Sequence, residues 1–216
     1  MIERKDIVIF GSGGHARVVH DIALDCAVFN VIGFVTPVAG GEFCGLPVFG
    51  DDTWTSSGCR RGVIGIGDNY LRMQVADNVR RRDADFEFVT LVHGSAQRLG
   101  GVQLGRGSVV MPGALLNSAV VVGDHCILNT GCVIDHDCVI GDYASIAPGA
   151  TLGGGVTVGQ GTAIALGAKL IHGITIGAGS VVGAGALVLH DVAAGVLAYG
   201  SPCRRVRSRQ VGEPYY

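Results

Sequence analysis

A small α/β unit with a parallel sheet, followed by a long parallel β-helix, is the fold class that the sequence predicts. Three observations predict it. Aliphatic residues recur every six positions from Leu104 to Val188, glycines recur every eighteen from Gly105 to Gly177, and residues 1–90 carry neither period.

The hexad run reads Leu104, Val110, Leu116, Val122, Leu128, Ile134, Ile140 and Ile146, then Leu152, Val158, Ile164, Leu170, Ile176, Val182 and Val188, without a slip. Two residues before most of these stands a small one, such as Ala114, Cys126, Cys132, Cys138 or Ala150. Self-similarity at this period marks a hexapeptide solenoid. Each hexad supplies a flat strand and a corner. Three hexads make one coil, because Gly105, Gly123, Gly141, Gly159 and Gly177 fall one coil apart. The aliphatic side chain points inward, the small residue fits where faces crowd, and glycine relieves a tight corner. Coils so built stack at about 4.8 Å.

Residues 1–90 read as a Rossmann-like βαβ domain. Ile7–Phe10 is a short buried strand, and Gly11-Ser12-Gly13-Gly14-His15-Ala16 turns into a helix with apolar Val18, Val19, Ile22 and Ala23. Val31–Val35 and Val63–Ile66 are further strands. Asp68 caps a second helix carrying Leu71, Val75 and Val79, and Phe86–Leu91 closes the unit as a fourth strand. Glycines after the first strand let backbone N–H groups approach a phosphate at the helix N-terminus. As a dinucleotide fingerprint the turn fails, since the acid expected about 20 positions on is Thr36, followed by Pro37. A nucleotide-sugar phosphate site is favoured over a purely structural turn. Residues 1–90 are therefore read as the nucleotide-sugar-binding domain, and residues 91–216 as the catalytic coils with a C-terminal tail.

Composition narrows the partners. A net charge of −2 and a pI near 6.4 argue against nucleic acid and anionic membrane. No apolar stretch approaches a signal peptide or a membrane span. Seven cysteines without a framework fit reduced thiols in a cytoplasmic setting.

Among the histidines, His136 stands out by position. It lies two residues past inward-facing Ile134, hence at a corner of the prism, with Gly154 one coil on and His172 one coil further. A missing side chain at Gly154 leaves a notch beside the imidazole. Histidine suits proton abstraction near neutral pH. His172, about 10 Å away along the same edge, is read as surface. His20 is read as surface too, and His15 as either a substrate contact or a helix cap. Cys126, Cys132 and Cys138 point at different walls in small inward slots, so they are core and no metal is expected. Arg204, Arg205 and Arg207 either meet the phosphates of a ligand or form a solvated tail.

Taken together, Ile9-Phe10-Gly11-Ser12-Gly13-Gly14-His15-Ala16, Ile66-Gly67-Asp68-Asn69, the run Asn129 to Asp142 with Asp135-His136-Asp137 inside it, and Gly200-Ser201-Pro202 resemble the bacterial sugar O-/N-acyltransferases of the sialic-acid O-acetyltransferase type. Within that family the resemblance is to members acetylating nucleotide-activated 4-amino-4,6-dideoxy sugars. It implies a left-handed β-helix, acetyl-CoA as cosubstrate, a homotrimer, and His136 as general base held by Asp137. It further implies an oxyanion or thioester contact from the Gly154 N–H and CoA contacts at Leu166 and Ala184. Nucleotide contacts would come from Gly11, Ser12, Gly13, Gly14 and His15. Ser145 stands where many members carry a second histidine near the acetyl group, and Thr36 where many carry an acid toward the nucleobase. The expected reaction is N-acetylation of a nucleotide-linked 4-amino-dideoxy sugar. The alternatives are sugar or sialic-acid O-acetylation from acetyl-CoA and, third, a scaffold or metal-dependent relative drawing on His125, His136 and His172.

Overall fold

The computed structural model describes residues 4–214. Its N-terminal part is a six-stranded sheet with two helices: β1 (Lys5–Phe10), α1 (Gly14–Asp25), β2 (Phe29–Thr36), β3 (Glu42–Phe43), β4 (Leu46–Gly50), β5 (Arg61–Ile64), α2 (Asn69–Arg82) and β6 (Glu87–Phe88). The strand order is β3-β4-β2-β1-β5-β6, parallel except for the β3/β4 hairpin. Continuous burial of Ile7, Val8, Ile9 and Phe10 places β1 at the centre of the sheet, covered on both faces. The hairpin was not foreseen, because Gly40-Gly41 and the short Glu42–Phe43 carry no alternation to signal a strand.

From Leu91 onward the chain winds into a three-sided prism. The first face begins at Leu91–Val92 and continues through Val109–Val110, Ile127–Leu128, Ser145–Ile146, Ala163–Ile164 and Val181–Val182. It ends in Val196–Tyr199 and the antiparallel Arg204–Ser208. The second face runs from Gln97–Arg98 to Leu187–Val188 and the third from Gln103–Leu104 to Thr175–Ile176, all in parallel register one coil apart. The inward aliphatics, from Val110 through Val188, form one continuous core with the small residues between them. Each fully buried aliphatic stabilises by roughly 1.5–3 kcal/mol. The three cysteines of the run are fully buried in it, and burial pushes the Cys126 and Cys132 thiols up to about 12.

The prism's first strand is Leu91–Val92, and exposed Arg98 interrupts the hexad aliphatics between it and Leu104. The expected fourth strand over Phe86–Leu91 is split between the two parts. Val89 N–H bonds Gly62 O in the N-terminal sheet, whereas Leu91 N–H already bonds Ser108 O in the next coil.

The two parts share a polar and an apolar contact. Val19, Ile22 and Ala23 of α1 pack with Val109, Met111 and Ile127 on the outside of the first face. Arg72 of α2, only 1% exposed, donates to the carbonyls of His125 (2.8 Å), Tyr143 (2.8 Å), Ile66 and Gly67 (3.0 Å each). Asn69 donates to the carbonyls of Gly161 and Thr162 at 3.1 and 3.2 Å. A buried guanidinium is tolerable only when its donors are matched in this way. The His125 and Tyr143 rings stack at 5.0 Å, and Arg80 Nη2 lies 3.0 Å from His125 Nε2. Burial first, then Arg80 and Arg72, hold the His125 pKa down near 3, so it stays neutral. The N-terminal part thus covers the first face and the corner between the third and first faces. Among the described residues no helix is long and apolar enough to cross a membrane.

Candidate active site

His136 lies on the corner between the second and third faces, the corner opposite the first face. Its main chain is fixed from both sides. Gly155 N–H of the next coil bonds His136 O (2.8 Å), and the following residue, Asp137, donates its N–H to Ser118 O of the preceding coil (3.0 Å). Corner residues at this step adopt left-handed backbone. Gly155 does so at φ 69° without penalty, and Asp137 at φ 59° is one of the few side chains that tolerate it. That conformation places the Asp137 carboxylate 2.7 Å from His136 Nδ1.

The pair leaves Nδ1 donating to the carboxylate and Nε2 carrying the free lone pair. A second carboxylate supports it: Asp135 Oδ1 accepts from His136 N–H (2.8 Å) and from Asn117 Nδ2 of the preceding coil (2.6 Å). Those two donors, the His136 N–H first, hold the Asp135 carboxyl below its usual range. The Asp137 hydrogen bond, then the Asp135 charge, raise the His136 pKa above the ordinary histidine value. Its side chain is 61% exposed, so Nε2 is open to an incoming group.

The notch expected at Gly154 is corrected: the His136 ring fills it. A Cβ on Gly154 would stand 2.6 Å from both Cε1 and Nε2 of His136, so the space above Gly154 is taken by the imidazole itself. The glycine lets the ring pack closely on the next coil. The open space is a groove of about 710 Å³ beside it, lined by Asp135, His136, Thr151, Gly154, Lys169 and His172 among others. The Gly154 N–H makes no hydrogen bond among the described residues and is available as a donor there.

The other expected site residues fall in three places. Leu166, 58% exposed, and Ala184 sit one coil apart on the corner between the first and second faces, across the second face from His136. Ser145 lies on the first face, away from His136 in the same chain. Gly11, Ser12, Gly13, Gly14, His15 and Thr36 lie at the carboxyl ends of β1 and β2. There Gly13 is the N-cap of α1 with no side chain capping the first turn. His15 is within α1, pushed down to about 4 by burial and then by Arg72, with Nε2 buried and unpaired. Thr36 Oγ1 donates to Val38 O (2.6 Å) and shapes the turn after β2. The surface reading of His20 is corrected: it is buried against Phe34, ring centroids 5.7 Å apart, because its side of α1 faces the sheet. His172 is exposed, in the groove with His136. His125 belongs to the Arg72 junction, and among the described residues no group of His, Cys, Asp or Glu is arranged to hold a metal ion.

Two family models match: the PglD N-terminal domain over residues 6–79 and the six-repeat bacterial transferase hexapeptide over residues 119–154. No curated protein sequence matches the chain. Perosamine N-acetyltransferase from Caulobacter crescentus, solved with CoA and GDP-perosamine, is 36% identical, with 96% of this chain and 100% of that one covered and a TM-score of 0.89. This chain belongs to the hexapeptide-repeat family of CoA-dependent nucleotide-amino-sugar N-acetyltransferases. The acetyltransferase domain of PglB from Neisseria gonorrhoeae, solved with acetyl coenzyme A, is 30% identical over 94% of this chain and 100% of that one, TM-score 0.87. WeeI from Acinetobacter baumannii is 26% identical with the same coverage and a TM-score of 0.86. The fold class of this acetyltransferase is theirs, a Rossmann-like βαβ domain followed by a left-handed parallel β-helix.

Proposed function

We propose that the protein transfers the acetyl group of acetyl-CoA to the amino group of a nucleoside-diphosphate-linked 4-amino-4,6-dideoxy sugar. The observation that carries this is the His136–Asp137 pair lying on Gly154 at an open groove, in a chain alike end to end to an enzyme solved with CoA and GDP-perosamine. The amine nitrogen attacks the thioester carbonyl while His136 Nε2 takes its proton. The Gly154 N–H meets the developing oxyanion, the C–S bond breaks, and CoA leaves as its thiol after receiving that proton. CoA lies along the second face, between the His136 corner and the corner of Leu166 and Ala184. Residues 1–90 hold the nucleotide and the coils carry the transfer. Both substrates and the free cysteines favour a cytoplasmic setting. A panel of nucleotide amino sugars with acetyl-CoA, read by thiol release, tests the reading; no release with any of them would refute it.

Assembly is part of the proposal. Within one chain the N-terminal domain covers the first face and His136 occupies the opposite corner, so one chain's nucleotide does not meet its own base. A homotrimer brings one chain's glycine turn to the next chain's His136, and Ser145 on the first face to the same place. Light scattering is expected to give three copies per particle. Mixed assemblies of His136→Ala and Gly13→Val chains, assayed at sugar-nucleotide concentrations well below the KM of the Gly13→Val enzyme, are expected to be more active than either variant alone. An active monomer, or mixtures no better than their parts, would sink the shared site.

The pH dependence has a defined sign. The base works unprotonated, so turnover falls as pH drops through a pKa that Asp137, then Asp135, hold above the ordinary histidine value. Asp137→Asn removes the largest cause. The acid limb of kcat is expected to move to lower pH, with the plateau lowered less than by loss of the imidazole. An unmoved limb would mean that Asp137 does not set the proton affinity of the base.

A further inference from the structure

We infer that the nucleobase of the acceptor is guanine and that Asp51 is the residue that selects it; this rests on the nucleotide-sugar reading above. The relevant space is a cavity of about 420 Å³ at the carboxyl ends of β1 and β2, bounded by Gly11 where the glycine turn begins and by one side of α2. Its apolar walls come from Val35 and Pro37 on one side and Leu71 and Val75 on the other. Two such walls accept the faces of a flat base, and polar groups at the rim then choose which base.

The rim holds one carboxylate. Thr36 contributes only a hydroxyl, already donated to Val38 O. The acid stands one strand over: Gly50 is the register partner of Thr36 in the β2–β4 ladder, and Asp51 follows it into the cavity. Arg82 bonds the Asp51 carbonyl, which ties that main chain to the end of α2. The Asp51 carboxylate itself has no partner among the described residues. Arg81 and Asn78, on the α2 side, line the same cavity.

Chemistry decides between the bases. An ionised carboxylate only accepts hydrogen bonds, so it needs donors side by side. Guanine presents N1–H and the N2 amino group next to each other. Uracil and thymine flank a single N3–H with two carbonyls, which a carboxylate repels. Adenine and cytosine place an acceptor nitrogen beside their one amino group. Guanine's remaining acceptors, O6 and N7, are the groups an arginine fork engages, and Arg81 is positioned to supply it. A neutral threonine at position 36 costs nothing in this arrangement, since the acid has moved to the adjoining strand.

The test is calorimetric, on the full chain with free diphosphates. GDP is expected to bind more tightly than UDP, dTDP and ADP, and more tightly than IDP, which lacks only the N2 amino group. Asp51→Asn is expected to weaken GDP by roughly 10²-fold and to erase the preference over IDP. The same variant is expected to gain affinity for xanthosine diphosphate, whose 2-oxo group the new amide N–H can meet. A gain of this kind separates loss of selection from loss of folding. Equal binding of UDP and GDP, or a GDP-over-IDP ratio unchanged in Asp51→Asn, would overturn the assignment. If all diphosphates bind alike and Gly13→Val abolishes them, the nucleotide-sugar reading survives and guanine alone falls. If none binds, both fall.

Discussion

His136→Ala is expected to lower kcat by roughly 10²–10⁴-fold, the usual worth of a positioned general base, with affinity for CoA nearly unchanged. Among the described residues no other histidine stands ready to replace it. His172 shares the groove but is two coils along the edge, about 10 Å away. His125 is buried at the domain junction, with Nε2 beside Arg80 and its pKa near 3. His15 is half-buried in α1 with its Nε2 enclosed, on the far side of the prism within the chain. The backbone at the site is held by the neighbouring coils and not by the imidazole, through Gly155 N–H to His136 O and Asp137 N–H to Ser118 O. Truncation therefore removes the base and leaves the corner in place. Single-turnover thiol release, paired with CoA titration, reads the two effects separately. Full turnover in the variant would move the proton transfer elsewhere, and His15 of the adjoining chain would be tested next.

Much of this was legible in the sequence because a solenoid has a simple map from number to place. Residues eighteen apart stack, so His136, Gly154 and His172 could be assigned to one edge before any coordinates. The same rule would pair Asn117 with Asp135, whose contact at 2.6 Å holds the carboxylate that accepts from the His136 N–H, if polar residues are stepped like aliphatic ones. Arg72 was less accessible. It sits with Asn69, Ala76 and Val79 on the buried side of α2, but a charged residue on such a stripe reads as solvated until the carbonyls that receive it are known. The unbroken aliphatic run begins only at Leu104, since Arg98 occupies a hexad position without an aliphatic side chain. What a period cannot convey is which face another domain covers. That choice is made by side-chain packing of α1 on Val109, Met111 and Ile127, and it puts His136 and the glycine turn of one chain on different sides of its prism.

Gly13→Val is expected to raise KM for the sugar nucleotide by an order of magnitude or more and to leave KM for acetyl-CoA almost untouched. The position suits a clean test. Gly13 has φ −94° and ψ −174°, ordinary extended backbone, and a Cβ built there meets nothing within 4 Å. Valine is therefore tolerated by the fold, unlike a substitution at Gly11, which has φ 107° and would press on Ile66 and Gly65. What valine disturbs is the space in front of α1. The first-turn N–H groups there have no side-chain cap, whereas α2 uses Asp68, which accepts from Leu71 N–H at 2.9 Å. Bare N–H groups at the positive end of a helix are where a phosphate is held. In the proposed reading acetyl-CoA lies along the coils, so a second anion site would serve an acceptor that carries phosphates of its own. By the same argument the free amino sugar, lacking the diphosphate, is expected to be a poor acceptor for the wild-type enzyme. Steady-state kinetics with each substrate varied in turn separates the two KM values. Equal acetylation of free and nucleotide-linked sugar, or a Gly13→Val enzyme with an unchanged KM for the nucleotide form, would remove the glycine turn from substrate binding and bring back a free-sugar acceptor.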